Sequence, residues 1–512
     1  MIPLVLALLL ISKDRKRKLR HAYLYGLFYF ECFYSVCFHW FIYLYPLDFT
    51  GLDSFGSVMV IIVACFGLSF LQALFGGFAF VLFTLISRLP VMQRVKCANL
   101  FLLPAVYSFY EYTQTLGWWG VPWGRLPLGQ TDYIIPVQVS SLFGSYLVTF
   151  ILVFVNTCLA YAFLARKELT RAKRYALLAL SVFLINILTG TVMFFVSRSA
   201  AEKAEKITVG VVQGNYDSKS KWSESHSDIM NKHLALTEKC ADEGAELVIW
   251  AETALPYSLS VDGARTQKIQ NFAKEKEITI LVGAIEYSGE DTYNAIFCFN
   301  PDGTMSETVY HKRRLVPFGE YVPMRSLVEV ILPFLSDLSM LSDDMTPGDD
   351  SNVFVTSDGY CVGSLICFDS IYEQLVLDST SDGANLIALS TNDSWFSDSA
   401  GIYMHNNQAR LRSIENGRFT ARSANTGVST VISSTGEQLS LIPPLTEGTS
   451  ACEVSLLSYR TLYSYIGNLF VYLCLFASLS PAVYEIIMFV KEKQAKSRAK
   501  TQHGGGGNDE KQ

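Results

Sequence analysis

Apolar positions are unevenly spread along this chain. They concentrate before residue 199 and after residue 460, and the stretch between has ordinary composition. A membrane-crossing helix needs about 20 apolar residues. By length and lack of charge, such runs are predicted at 22–45, 57–87, 97–112, 134–164, 175–197 and 461–490. The 97–112 run is short and carries Glu111 near its end. Met1–Ile11 is apolar but too short to span by itself, and its basic cluster follows the apolar run, so it is not a secretory signal. Between 199 and 460 the pattern changes. Strand-like runs are read at Ile207–Val212, Leu247–Trp250, Ile278–Ile285, Tyr293–Phe299, Val353–Thr356, Tyr360–Ile366, Asn385–Ser390, Phe419–Ala424 and Val428–Ile432. Helical spacing appears between some of them, in Ile229, His233, Leu236 and Cys240, and in Ile269, Phe272 and Ala273. Alternating strands and helices predict an α/β layered domain.

Basic residues orient the apolar runs. They cluster after Ile11, around Arg88–Lys96, around Arg166–Arg174 and after Val490, whereas the loops near Asp48–Asp53 and Gly117–Asp132 are poor in them. The positive-inside rule makes all four clusters cytoplasmic and puts 199–460 on the opposite side, the periplasm in a bacterium. The expected organisation is membrane helices over 1–198, an exported domain over 199–460, a last span over 461–490, and a basic cytoplasmic segment and tail over 491–512. The tail His503–Gln512, with four consecutive glycines, reads as disordered.

Composition agrees. Half of the 512 residues are hydrophobic and only 17% are charged, below the roughly 25% of soluble domains. A net charge of −6 gives no reason to expect a nucleic-acid partner. The eleven cysteines show neither CxxC nor Cys/His spacing, so no zinc site, other metal or disulfide framework is expected. Five lie in the exported domain, Cys240, Cys298, Cys361, Cys367 and Cys452; an odd number leaves at least one free or paired between chains. Cys361 is read as structural.

Three stretches carry candidate chemistry. Val362–Asp369 is an apolar run that ends in Cys367 and then Asp369. Leu247–Glu252 is a second run that delivers Glu252, and Tyr310–Glu320 holds Lys312 and Glu320. A thiol, a carboxylate and an amine suffice for covalent acyl chemistry: the carboxylate takes the thiol proton and the ammonium stabilises the oxyanion. Each has a plainer alternative. A strand-end cysteine is usually a small buried hydrophobe, Glu252 and Glu320 suit turn caps, and Lys312 suits a solvated basic loop.

In this order and spacing, the stretches resemble the carbon–nitrogen hydrolase (nitrilase) superfamily with its Glu–Lys–Cys triad. Ser390–Phe396, Gln408-Ala409-Arg410 and Glu415–Arg418 extend the likeness. Val316–Pro323, and Val212–Asn215 followed by Lys221-Trp222, resemble its membrane branch, the apolipoprotein N-acyltransferases, over essentially the whole chain. The resemblance implies a multi-span helical membrane domain joined to an exported α-β-β-α sandwich. It implies Cys367 as nucleophile, Glu252 as general base and Lys312 as oxyanion stabiliser. Glu320 supports the site, and as a second carboxylate near the first would favour sharing a proton. Phe368 and Asp369 stand where the family commonly has Tyr and Glu, and the Phe368 N–H would join the oxyanion hole. Trp222 would border the substrate entrance. His405 is assigned a structural or supporting role, since the triad needs no histidine.

The implied reaction passes a fatty acyl chain from a phospholipid, through a cysteine thioester, to the N-terminal amine of diacylglyceryl-cysteine on an apolipoprotein. It needs no cofactor, and the protein would act as a monomer in the inner membrane. Two alternatives remain: a membrane-tethered amidase or nitrilase-type hydrolase, and a non-catalytic lipoprotein-binding or transport protein. The apolar runs are fewer than that branch usually has, so either the start lies upstream or the first hairpin is reduced. Three subsidiary expectations concern Arg125 as a partner for lipid phosphate, Arg325–Pro347 as a mobile lid or a pair of core helices, and Glu31 and Glu111 as intramembrane charges with no obvious partner.

Overall fold

The computed structural model describes residues 1–14, 16–47, 51–95, 97–117, 119–217, 220–260, 262–331, 344–349 and 351–504. Six principal helices precede the α/β domain: α1 (Ile2–Lys13), α2 (Leu19–Cys37), α3 (Ser54–Ser87), α4 (Ala98–Thr113), α5 (Ser145–Leu164) and α6 (Leu169–Lys203). Among the described residues, four helices are long and apolar enough to cross a membrane. They are α3, α5, α6 and the apolar part of the C-terminal helix Leu469–Gly504. The predicted 134–164 run is broken at Gly144, whose φ of +74° ends two short turns before α5 begins. The 461–490 run starts late, because Leu462–Ile466 forms a separate short helix closed by Gly467. At its other end the helix continues through His503 and Gly504, both expected to be disordered; 505–512 lie outside the described residues.

Close backbone approach holds the bundle. Gly76 on α3 faces Phe30 of α2 so tightly that a Cβ would meet the ring at 2.1 Å. Small residues serve this purpose where surrounding lipid offers no hydrophobic gain for helix association. Although short, α1 is embedded, with Val5, Leu8, Leu9 and Ile11 buried against the core that holds Phe80, Leu103 and Val153.

The two ends of the bundle differ. At one end Arg88 donates to the carbonyls of Ile11 (2.8 Å), Asp14 (3.1 Å) and Arg17 (2.8 Å). Lys13 lies over the Tyr161 ring, which stacks on Tyr175 beneath Arg171. Val91 N–H reaches Glu485 of the last helix at 2.6 Å. The basic segments named above gather there. The opposite end meets the α/β domain: Tyr372 donates to Gly120 O (2.9 Å), Gln408 to Pro122 O (2.8 Å) and Gln138 to Thr435 O (2.8 Å).

Two expectations about charge are corrected at this junction. Arg125 is 2% exposed and ion-paired with Glu373 at 3.1 Å, so it is not open to a lipid phosphate. Glu111 has partners: it accepts from Leu126 N–H at 2.8 Å and from the Thr149 hydroxyl.

The α/β domain has two sheets. The first runs β13 (Gly448–Ser455), β1 (Lys206–Gln213), β2 (Leu247–Ile249), β4 (Thr279–Ser288), β5 (Asp291–Phe299) and β6 (Met305–His311), with β3 (Leu255–Ser258) also on β4. The second runs β12 (Gln438–Ile442), β11 (Ser429–Ile432), β10 (Phe419–Ala424), β9 (Leu386–Thr391), β8 (Cys361–Ile366) and β7 (Val353–Val355). Their inner faces meet through Val209, Val211, Leu281, Val362, Leu386 and Val431. Outside the first sheet, α7 (His226–Asp242) and α8 (Ala264–Lys276) cover Trp250, Ile280 and Phe297. Outside the second lie α9 (Glu373–Ser381) and α10 (Ala400–Asn416), whose Leu375 and Ala409 share one apolar core with the bundle. The α-β-β-α order is as expected, and its α9–α10 layer is seated on the helical bundle.

Arg325–Ile331 is helical with Leu327 and Val330 exposed, and Arg325 is tied to Asp344 at 3.0 Å. Of the Arg325–Pro347 stretch, residues 332–343 lie outside the described residues.

Candidate active site

The triad residues expected from the sequence meet at the ends of three strands. Glu252 follows β2 in a turn that presses on β4; a Cβ at Gly283 would meet the Ala251 carbonyl oxygen at 2.2 Å. Lys312 follows β6 directly, its N–H held by Asn294 O at 2.9 Å. Cys367 follows β8 with φ +48°, a left-handed conformation rare for a side chain with a Cβ. It opens the short turn Cys367–Ile371.

Lys312 is nearly inaccessible, and its ammonium lies 2.9 Å from Glu252 and 2.9 Å from Glu320. Burial opposes that charge, but the two carboxylates outweigh it and hold the ammonium well above the ordinary lysine value. The carboxylates therefore share an ammonium between them, where a shared proton was the sequence expectation. Asn294 completes the bridge, donating to Glu252 at 2.7 Å and to Glu320 at 2.8 Å. The sequence reading missed this residue. Glu320 is itself fixed by Val316 N–H at 2.8 Å.

Burial pushes the Cys367 thiol up, the Glu252 charge adds to this, and Lys312 opposes it. The resting sulfur is therefore held as a thiol. Asp369 is buried and ties the neighbouring segments together, accepting from Tyr310 (2.7 Å), Ile366 N–H (3.1 Å) and Arg314 N–H (2.8 Å). Burial raises its carboxyl to about 6, against the pull of Lys312. Phe368 packs edge-on against Tyr372. Trp222 is exposed, and the adjacent Lys221 is buried.

Lys221 donates to the carbonyl and hydroxyl of Thr253 at 2.7 and 2.9 Å, bracing the turn that presents Glu252; Thr253 has φ +44°. Burial pushes this amine down to about 8. Between about pH 8 and the ordinary lysine value near 10.4, the unfolded chain holds a proton that the folded chain has released, so stability rises with pH. The parent is therefore expected to gain stability relative to Lys221→Met between pH 8 and 10. Thermal midpoints of the two proteins measure it, and a falling difference would contradict the assignment.

On the far side of Cys367, the ligand-type atoms of Cys367, Asp393 and His405 lie within 4.8 Å of one another. The Asp393 carboxylate is already engaged, by Arg422 at 2.6 Å and His405 Nδ1 at 2.8 Å. Arg422 and His405 hold it far below the ordinary carboxyl value despite its burial. A carboxylate locked to a guanidinium is a poor metal ligand, and the donor set does not fit a metal site.

Two sheets carrying a buried Glu, Lys and Cys at their strand ends define a class. Residues 208–463 match the carbon-nitrogen hydrolase profile, half of the sequence, and the chain belongs to that family. Residues 1–158 match the apolipoprotein N-acyltransferase N-terminal domain. Among its relatives, the apolipoprotein N-acyltransferase of Geobacter metallireducens is 29% identical over 383 residues, 72% of this chain and 71% of that one. Apolipoprotein N-acyltransferase 1 of Treponema denticola is 24% identical over 529 residues, 94% of this chain and 91% of that one. Saccharomyces cerevisiae Nit3, a nitrilase-superfamily structure, is 18% identical with a TM-score of 0.40, covering 51% of this chain and 93% of its own.

Proposed function

We propose that this protein transfers a fatty acyl chain from a membrane phospholipid to the α-amine of a diacylglyceryl-cysteine at the start of an apolipoprotein. The observation that carries the reading is the Lys312 ammonium set between Glu252 and Glu320, with its charge acting on Cys367. The same domain rests on apolar helices, as access to two lipid-anchored substrates requires.

In the first half-reaction Glu252 takes the Cys367 proton as the sulfur bonds to the ester carbon, and Lys312 stabilises the oxyanion. The tetrahedral species then collapses. The C–O bond breaks, the lysophospholipid leaves with the proton from Glu252, and an acyl thioester remains. In the second half-reaction the amine attacks the thioester, Glu252 takes its proton, and the C–S bond breaks to return the thiol. Asn294 and Glu320 hold Glu252 and Lys312 in place, Asp369 fixes the Cys367 turn, and Trp222 borders the entrance. The gathering of basic segments at one end of the bundle supports a cytoplasmic position for that end and a periplasmic one for the α/β domain.

Intact-mass measurement tests the reading. With bacterial phospholipid the parent should gain a fatty-acyl mass that hydroxylamine removes, and Cys367→Ala should gain none. Adding a diacylated lipopeptide should move that mass to the peptide. Release to water at the same rate without peptide would favour a hydrolase. No adduct on the folded parent would favour a binding protein.

A further inference from the structure

His405 lies on α10, outside the Glu–Lys–Cys set, yet its ring touches the nucleophile's own backbone. Its Nε2 is 3.2 Å from the Cys367 carbonyl oxygen and 3.1 Å from Ser370 Oγ. Ser370 donates to the same carbonyl at 2.7 Å. On the other side, Nδ1 faces Asp393 Oδ1 at 2.8 Å. Arg422 anchors that carboxylate through its second oxygen at 2.6 Å, and the Thr391 hydroxyl donates to Oδ1 at 3.2 Å. Trp123, from the loop between α4 and α5, lies against the imidazole with ring centroids 5.6 Å apart, and Phe396 covers its edge. A Cβ at Gly427 would meet Asp393 Oδ2 at 2.2 Å, so only glycine leaves the carboxylate its place.

These contacts have one geometric effect. The C=O of Cys367 and the N–H of Phe368 belong to a single rigid peptide plane and point in opposite directions. Holding the carbonyl fixes where the N–H points. The clamp acts at a residue with φ +48°, a conformation that persists only where its surroundings enforce it. Nε2 faces two oxygens, Cys367 O and Ser370 Oγ, while Nδ1 faces Asp393 Oδ1 with Arg422 Nη2 3.2 Å away.

We infer that His405, oriented by Asp393 and Arg422, is a positioning residue that clamps the Cys367 carbonyl and thereby aims the Phe368 N–H at the oxyanion formed in both half-reactions. The inference rests on Cys367 being the acylated thiol. It makes His405 matter for the rate of acylation and not for lipid binding, since the ring is buried behind the turn.

Single-turnover thioester formation, followed by intact mass against phospholipid concentration, tests it. His405→Leu removes the donor, and about a 100-fold lower rate at saturating lipid is expected, the scale of losing one oxyanion donor. The lipid concentration for half-maximal rate should stay within about twofold. His405→Gln keeps an N–H toward the carbonyl and should lose less than about tenfold. A folded His405→Leu protein that acylates at the parental rate overturns the inference, as does a loss confined to lipid affinity.

If His405→Leu does not fold, the set Ser370→Ala, His405→Gln and the double variant carries the test. The two donors share one acceptor and the amide of His405→Gln holds it more weakly than the imidazole, so Ser370→Ala must cost more in the His405→Gln background than in the parent, a combined loss above the product of the single losses. Independent losses overturn the clamp. A parent that forms no thioester on Cys367 defeats the acyl-transfer reading instead, before any variant is compared.

Discussion

Lys312→Met is expected to lower the rate of thioester formation by about 10³-fold or more, the upper scale for losing a preorganised oxyanion donor. Two effects add. The ammonium that would meet the developing oxyanion is gone. The carboxylates of Glu252 and Glu320, now joined only by Asn294, face each other as like charges with no cation between them, and their placement loosens. Arginine should not rescue the loss. Its planar fork does not fit a slot shaped to a compact ammonium with carboxylate contacts at 2.9 Å on both sides. Single-turnover acylation measures the effect, and a Lys312→Met protein that acylates within tenfold of the parent would exclude Lys312 from the chemistry.

Glu373→Gln is expected to cost stability on the scale of about 3–5 kcal/mol, the usual penalty for removing one partner of a buried ion pair. The carboxylate accepts from Arg125 at 3.1 Å, from Arg412 at 3.2 Å and from the Tyr146 hydroxyl. The ionic side chains are at most 2% exposed. Burial works against its charge, but the two guanidiniums win and hold the carboxyl below its ordinary value. The stabilisation is therefore present above the ordinary glutamate pKa, about 4.3, and is lost as pH falls below it. The gap in thermal midpoint between parent and variant should be wide at pH 7, persist to about pH 4.3 and shrink below it. A gap that is absent at pH 7 would show the network to be dispensable. Because Arg125 belongs to the bundle and Glu373 to α9, the variant should also loosen the seating of the domain on the helices.

Much of this architecture is legible in the chain. The nine strands read from apolar runs are β1, β2, β4, β5 and β7–β11, all with at least one buried face. The four missed are different in kind. β12 is exposed along most of its length, β13 and β6 are mostly half-buried and mixed in polarity, and β3 is four residues long with Pro256 inside. Strands with little buried surface leave no apolar alternation to read.

In the site, Glu252 and Cys367 stand out because each follows an apolar run, and Lys312 stands out through the resemblance that Tyr310–Glu320 carries. Asn294 and Lys221 do not. Asn294 matters only because of where β5 sets it relative to Lys312, and Lys221 only because Thr253 folds back over it. Arg125 was misread for the same reason. In a loop rich in Trp and Gly, a lone arginine looks like an interfacial group, but its partner Glu373 is far away in sequence. His405 is joined to Asp393 across a short turn and the start of α10, a relation that spacing alone does not announce.

The pairing of β1 with β13 sets the order in which the chain can be made. Lys206 lies opposite Ser455 and Gln213 opposite Gly448, so the first strand of the domain is completed by its last. Until that last strand emerges from synthesis, β1 carries an unpaired edge, the kind of template that captures other strands. Contacts this distant form slowly, because the intervening chain has to be ordered first. The closing strand is followed almost at once by the final apolar helix, Leu469–Gly504. Sheet closure therefore waits for nearly the whole domain to be made, and a nascent chain stalled before residue 448 is left with an open seam.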